Sequence, residues 1–260
     1  MTRTIKPLRV YALAAVLAAF FFTVPQSASA AGADQDVAGA VKSKLDKSQY
    51  KDVQVSVDAN GIATLSGTVS LYEYKSDADK TTHKVKGVTA VRNEITVAGS
   101  SVSDAQLQKS LSEKLAYDRV GYGNMFDAIT LQVQNGVVTL GGHTHDYPNR
   151  DSALGLVSTT PGVRDVVDDI SVDPLSPMDD GIRIAVARAI YGYTSLNRYA
   201  IDPEKPIRIS VQNGNVELYG VVDSQADKDT AGIRANGVAG VFSVKNYLQV
   251  AGQPAEKQQQ

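Results

Sequence analysis

The chain has 260 residues, 43% hydrophobic and 21% charged, with 26 basic and 28 acidic side chains and no cysteine. Without cysteine there is neither a disulfide nor a thiol to carry a lipid anchor. The slightly acidic balance excludes bulk nucleic-acid binding, which relies on a basic face.

Taken from the N-terminus, residues 1–30 read as a secretory leader. Arg3, Lys6 and Arg9 precede an uninterrupted apolar run, 10–24, too short for a comfortable membrane span, and Ala28-Ser29-Ala30 supplies small residues for cleavage after Ala30. Loss of the leader leaves 23 basic against 28 acidic residues, a net charge of −5. The mature chain is therefore expected to be soluble, in the periplasm or outside the cell.

The first unit, 34–98, opens with an amphipathic helix (Val37, Val41, Leu45) and continues with Val53-Val55-Val57, the dipeptide Asn60-Gly61, and Ala63-Leu65. Asn-Gly between alternating apolar runs signals a hairpin, because both residues tolerate positive φ. Gly67 closes the second strand, where a bulge or close backbone approach is expected. A second helix through Tyr74, Ala78, Thr81 and Val85 leads to Gly87, which fits a helix C′ position, and then to the strand Val91-x-Asn93-x-Ile95-x-Val97.

The same landmarks recur at offsets of 75 and then 78 residues. In the second unit, 103–173, they are Asn135-Gly136, Gly142 and Gly162; in the third, 178–250, Asn213-Gly214, Gly220 and Gly240. The closing strands read Val166-x-Asp168-x-Ile170-x-Val172 and Val244-x-Asn246-x-Leu248-x-Val250. Ser103-x-x-Gln106 is a capping box before Leu107-Leu111-Leu115, and Ser176-Pro177 gives an N-cap and N1 proline before Ile182-Val186-Ile190. Short linkers, 98–102 and the two-proline 173–177, restrict the arrangement of the units, and 251–260 is a polar tail expected to be disordered. Each unit is thus α-β-β-α-β, an α+β class in which two helices cover one face of a small mixed three-stranded sheet.

This pattern resembles the BON (bacterial OsmY and nodulation) domain, in three tandem copies over about 34–250. The second copy carries the resemblance best, with Val120-Gly121-Tyr122-Gly123-Asn124 and the run from Val133 through Asn135-Gly136 to Gly141-Gly142. The first copy departs by a longer turn, the third by Tyr219 in place of Gly141. The resemblance implies exported, non-catalytic envelope proteins that associate with phospholipid surfaces and serve under osmotic stress. Some members act as periplasmic chaperones.

No catalytic constellation, cofactor motif or metal site emerges. His83, His143 and His145 are not equivalent in the repeat, and His143-x-His145 lacks a third ligand, so it reads as an exposed loop pair. What differs between copies is the loop after the first helix, which grows from 8 to 14 to 17 residues between apolar anchors. It gathers Tyr117, Tyr122, Met125 and Phe126 in the second copy, and Tyr191, Tyr193, Leu196 and Tyr199 in the third. These groups either cap the core or form a contact with a partner or lipid headgroups, with Arg198 and Arg208 placed to pair with phosphates. Two functions follow as expectations: peripheral association with phospholipid in support of the envelope, or a chaperone or scaffold for exported client proteins.

Overall fold

The computed structural model describes residues 29–98, 102–117, 125–202 and 205–253. Residues 1–28, most of the expected leader 1–30, and 254–260 of the expected tail lie outside them. Helix α1 (Ser29–Lys44) includes the expected cleavage point after Ala30.

The first unit continues with β1 (Val53–Val57), β2 (Ile62–Val69), α2 (Tyr72–His83) and β3 (Ala90–Val97). The second comprises α3 (Asp104–Tyr117), β4 (Ala128–Gln134), β5 (Val137–Thr144), α4 (Tyr147–Ser158) and β6 (Asp165–Val172). The third comprises α5 (Pro177–Tyr191), β7 (Arg208–Gln212), β8 (Asn215–Tyr219), β9 (Val221–Val222), α6 (Gln225–Asn236), β10 (Ser243–Asn246) and β11 (Gln249–Val250). In each unit the hairpin strands pair antiparallel and the strand after the second helix joins the middle one in parallel. The third sheet is parted at Gly220, yet Leu218, Gly220 and Val222 carbonyls accept in turn from Tyr247, Gln249 and Ala251, so the parallel pairing runs on.

Apolar side chains on one face of each hairpin meet across the strands: Val55 with Leu65, Leu131 with Leu140, Val211 with Val216. Leu65, Leu140 and Leu218, equivalent in the repeat, are fully buried under the helices. Each closing strand is also tied to the second helix by its polar residue. Asn93 and Asn246 donate to the carbonyls of Lys75 and Lys228, while in the second unit Asp168 pairs with Arg150 at the same separation of 18 residues.

The hairpin tips solve one problem in two ways. In the second and third units Asn135 and Asn213 take φ of 54° and 51°, followed by glycines at 75°, which makes two-residue type I′ turns. Their backbone N–H groups donate to a carboxylate at the start of the first helix: Asp104 holds Asn135 and Gly136 at 2.6 and 2.9 Å, and Asp179 holds Asn213 and Gly214 at 2.9 Å each. The first unit's longer turn is capped from within, Asp58 accepting from Asn60 and Ile62 at 2.9 Å.

One expectation is corrected. Gly87, Gly162 and Gly240 are not at helix C′ positions, since the helices end at His83, Ser158 and Asn236. Each instead holds positive φ at the third position of a β-turn closed by Val88, Val163 or Val241 onto Val85, Thr160 or Val238. Type II geometry demands a glycine there, and Pro161 pre-sets the preceding residue in the second unit.

The strand-closing glycine is held more tightly. At Gly142, φ is 85° and a Cβ would lie 2.0 Å from the Ala128 carbonyl oxygen, whereas a Cβ at helical Gly155 meets nothing within 4 Å. Gly142→Ala is expected to destabilise the second unit by about 2 kcal/mol or more, and Gly155→Ala to stabilise it by about 0.5–1 kcal/mol. Urea unfolding of the two variants checks both.

Candidate functional site

Buried and half-buried charged side chains converge where the second unit meets the third. The polypeptide leaves β6 at Asp173, whose N–H still donates to the Thr144 carbonyl at 2.8 Å. The Asp173 carboxylate is buried against the third sheet, where it accepts from Gln212 at 2.6 Å, Ser210 at 3.3 Å and the Arg183 guanidinium at 3.3 Å. Arg183, itself buried on α5, also donates to the Val211 carbonyl at 2.9 Å and pairs with Asp180. Burial alone would raise Asp173, but His143, Gln212 and Arg183 outweigh it and hold the carboxyl below its ordinary range. Asp179 is likewise held low: its desolvation is overcome by the Gly214 and Asn213 N–H groups.

The histidines on β5 and just beyond it face this seam and are half-buried, so the exposed-loop reading of His143 and His145 is corrected. His143 Nδ1 lies 3.6 Å from Asp173, an ion-pair distance too long for a hydrogen bond. His145 has Nδ1 3.0 Å from buried Asp127 and Nε2 3.2 Å from Asp146. Both rings are raised above their ordinary pKa, chiefly by Asp173 for His143 and Asp127 for His145, against the opposing effect of burial. The two rings turn to different aspartates rather than to one metal position. With both nitrogens of His145 occupied, that ring has none free to activate a nucleophile.

Of the two readings of the aromatic loops, a cap on the core describes the buried members. Phe126 is 6% exposed and sits in the core of the third unit, with Met125 packed against the same core. Met125 and Phe126 therefore plug the seam between the second and third units, whereas Tyr117 is exposed. Tyr191 donates to the Ile207 carbonyl at 2.6 Å, and burial pushes its phenol far above the usual range. Tyr199 is 3% exposed and donates to Asp227 at 3.1 Å. Arg198 cannot be spared for phosphate: its guanidinium donates to Asp223, Asp227 and the Ser195 carbonyl and lies 4.8 Å over the Tyr199 ring. Tyr193 is exposed beneath Arg234, Arg208 lines a groove at the seam, and Tyr122 lies outside the described residues.

Sequence reasoning passed over a second feature. Around the third hairpin tip stand three exposed apolar side chains, Leu175 (87%), Met178 (72%) and Phe242 (85%). They are brought there by the backbone: Asp173 and Asp179, on either side of Leu175 and Met178, bind Gln212 and the Asn213-Gly214 turn, and Phe242 N–H donates to the Gly214 carbonyl at 2.8 Å. Thr89 and Arg164 make the same backbone bond in the first two units, so the phenyl ring belongs to the third alone. Comparing the residue two places after each of Gly87, Gly162 and Gly240 would have revealed it.

Among the described residues no helix is long and apolar enough to cross a membrane. A family model described as BON domain matches residues 33–99, 103–174 and 193–252. Osmotically-inducible protein Y of Escherichia coli (strain K12) is 31% identical over 121 residues, covering 46% of this chain and 60% of that protein's length. Two structures of CdsD, a structural protein of the type III secretion system of Chlamydia trachomatis, one of them of its C-terminal domain, each align over 85% of the chain and 96% and 94% of theirs. At 14% and 18% identity and a TM-score of 0.24 they bear on neither the arrangement of the units nor their function.

Two outcomes test the seam. Removing one member of a buried ion pair costs about 3–5 kcal/mol, so Arg183→Ala is expected to lower the urea midpoint sharply, and the double change Asp173→Leu with Arg183→Met far less. Raised histidine pKa values stabilise the fold below about pH 6.5 and cease to do so as pH rises through the folded values; the lowered aspartates stabilise it above about pH 4 and cease to do so as pH falls. The urea midpoint should therefore be higher at pH 5.5 than at pH 8, and His143→Gln with His145→Gln should flatten that difference.

Proposed function

Because the chain belongs to the BON-domain family, we propose that it is a non-enzymatic, exported envelope protein that docks reversibly on phospholipid through its third unit and supports the envelope under osmotic stress. The observation that carries this reading is the apolar rim of Leu175, Met178 and Phe242 at one hairpin tip. Three large apolar side chains, each more than two-thirds exposed and all held near one hairpin tip, suit a contact surface. Full burial of such a side chain contributes about 1.5–3 kcal/mol, so partial insertion of three supports weak, reversible attachment. The third unit has as many acidic as basic residues, eight of each. Apolar insertion, not charge attraction, therefore drives the contact, and added salt should change it little. The relative's name, osmotically inducible, supports the stress role.

Co-sedimentation of the mature chain with neutral and anionic vesicles tests the proposal. Binding to both is expected, weakened at least about tenfold, or ~1.4 kcal/mol, by Phe242→Asp combined with Met178→Asp. Failure to sediment with either vesicle would sink it. A chaperone or scaffold reading draws on the spread of exposed side chains over two units, Tyr147 in the second and Ile233 and Phe242 in the third. Several weak contacts on one chain would gain avidity for an unfolded client. Suppression of client aggregation in the absence of lipid would favour that reading.

A further inference from the structure

In the first unit the end of α1, the connection that follows it and the strand β1 enclose a groove of about 380 Å³, a volume suited to a ligand or a short stretch of peptide. Buried Leu45 and Tyr50 and half-buried Val53 and Val55 give it an apolar floor. Lys42, Lys47 and Lys51, all exposed, stand around that floor, with Asp46 the one carboxylate in the lining. None of the three lysines is engaged by a carboxylate among the described residues.

The third unit fills the equivalent place with its own chain. Its longer connection carries Leu196 and Tyr199, both buried in one core with Ala187, Ile190, Ile207 and Ile209. Tyr50 and Tyr199 each sit in a short 3-10 helix, Ser48–Tyr50 and Asn197–Ala200. Each tyrosine N–H donates to the carbonyl three residues earlier, that of Lys47 at 2.9 Å and of Leu196 at 3.1 Å. Lys47 therefore stands where the third unit buries a leucine. Lys42, which follows Val41 as Ala187 follows Val186, stands where it buries an alanine. The first unit thus carries ammonium groups in place of an apolar cover. Val53 and Val55 are left half-buried, where Ile207 and Ile209 are fully enclosed.

We infer that this groove is the docking site for an acidic, extended segment of another protein. An apolar side chain of that segment takes the place of Leu196 over Val53 and Val55, and its carboxylates meet Lys42, Lys47 and Lys51. Ammonium groups on flexible stems reach carboxylates from several directions, so the charge match tolerates variation in the segment. β1 is the outer strand of its sheet and pairs with β2 alone, which leaves the backbone groups on its other side open to a segment lying alongside. That open edge, next to the lysines, favours a peptide over a small anion, because only a peptide uses both.

Fluorescence polarisation of the mature chain with a labelled peptide of alternating glutamate and valine tests the assignment, with glutamate–glycine and lysine–valine peptides of equal length as controls. The glutamate–valine peptide is expected to bind with Kd below about 100 μM at low salt, at least about tenfold more tightly than either control, and more weakly as salt is raised. Lys42→Ala with Lys47→Leu, which places the third unit's residues there, should weaken it at least about tenfold. The urea midpoint should not fall, because both lysines are exposed. Lys42→Glu with Lys47→Glu should turn the preference toward the lysine–valine peptide. Absence of glutamate–valine binding at about 1 mM would overturn the assignment. So would equal binding of the glutamate–glycine peptide, undiminished binding by both double variants, or loss of phosphatidylglycerol-vesicle binding in those variants with no peptide bound. Phe242→Asp with Met178→Asp weakens vesicle docking by the third unit and should leave the peptide bound, so the two sites can fail separately.

Discussion

The buried carboxylate of Asp173 is the joint on which the paired second and third units depend. It ends one sheet and is bound by the next, with Gln212, Ser210, Arg183 and His143 gathered around it. A charge so deep is tolerable only while its partners stay in place, because desolvation is offset by several donors at once. The linker it begins is therefore a fixed strut. Phe126, reaching from the second unit into the third core, holds the same geometry from the other side. The first unit is joined by lighter contacts: Lys75 pairs with Asp165 at 3.5 Å, and Tyr72 packs on the second core.

Within that frame the three units share a skeleton and differ in what they present. The shared parts are those that backbone geometry demands: positive φ at the turns, a glycine where one strand crosses close to another, and leucine beneath the helices. The differences lie on the open sheet faces and at the hairpin tips, where substitution does not disturb the core. Phe242, Tyr219, Tyr247 and Arg208 all fall in such places. A repeat array can thus keep one fold while varying the surface that each copy presents.

Most of the fold was legible in the sequence because its signals are local. Asn-Gly, the strand alternation and the four-residue helical spacing each act over a few positions. What escaped was non-local. Arg198 looked free for phosphate because its partners, Asp223 and Asp227, lie 25 and 29 residues further on. Phe126 read as either a cap on its own core or a contact residue, and its true neighbours are in the next core. The role of Asn93 and its equivalents was hidden similarly: the recurrence was visible, but not the helix carbonyl that each side chain reaches. Gly87, Gly162 and Gly240 were recognised as turn residues yet placed on the helix end, since positive φ is common to both settings.

The two ways of capping a hairpin tip carry a consequence for how the chain acquires its structure. In the second and third units the tip is held by a carboxylate 31 to 35 residues earlier, so the turn is secured only once that loop has closed and the first helix has docked. In the first unit Asp58 holds its own turn from two and four residues away. That hairpin has low contact order and can form as soon as its residues are free. The leading unit of a chain that emerges N-terminus first is thus the one able to order itself earliest, offering α4 and β6 of the next unit a surface against which to assemble.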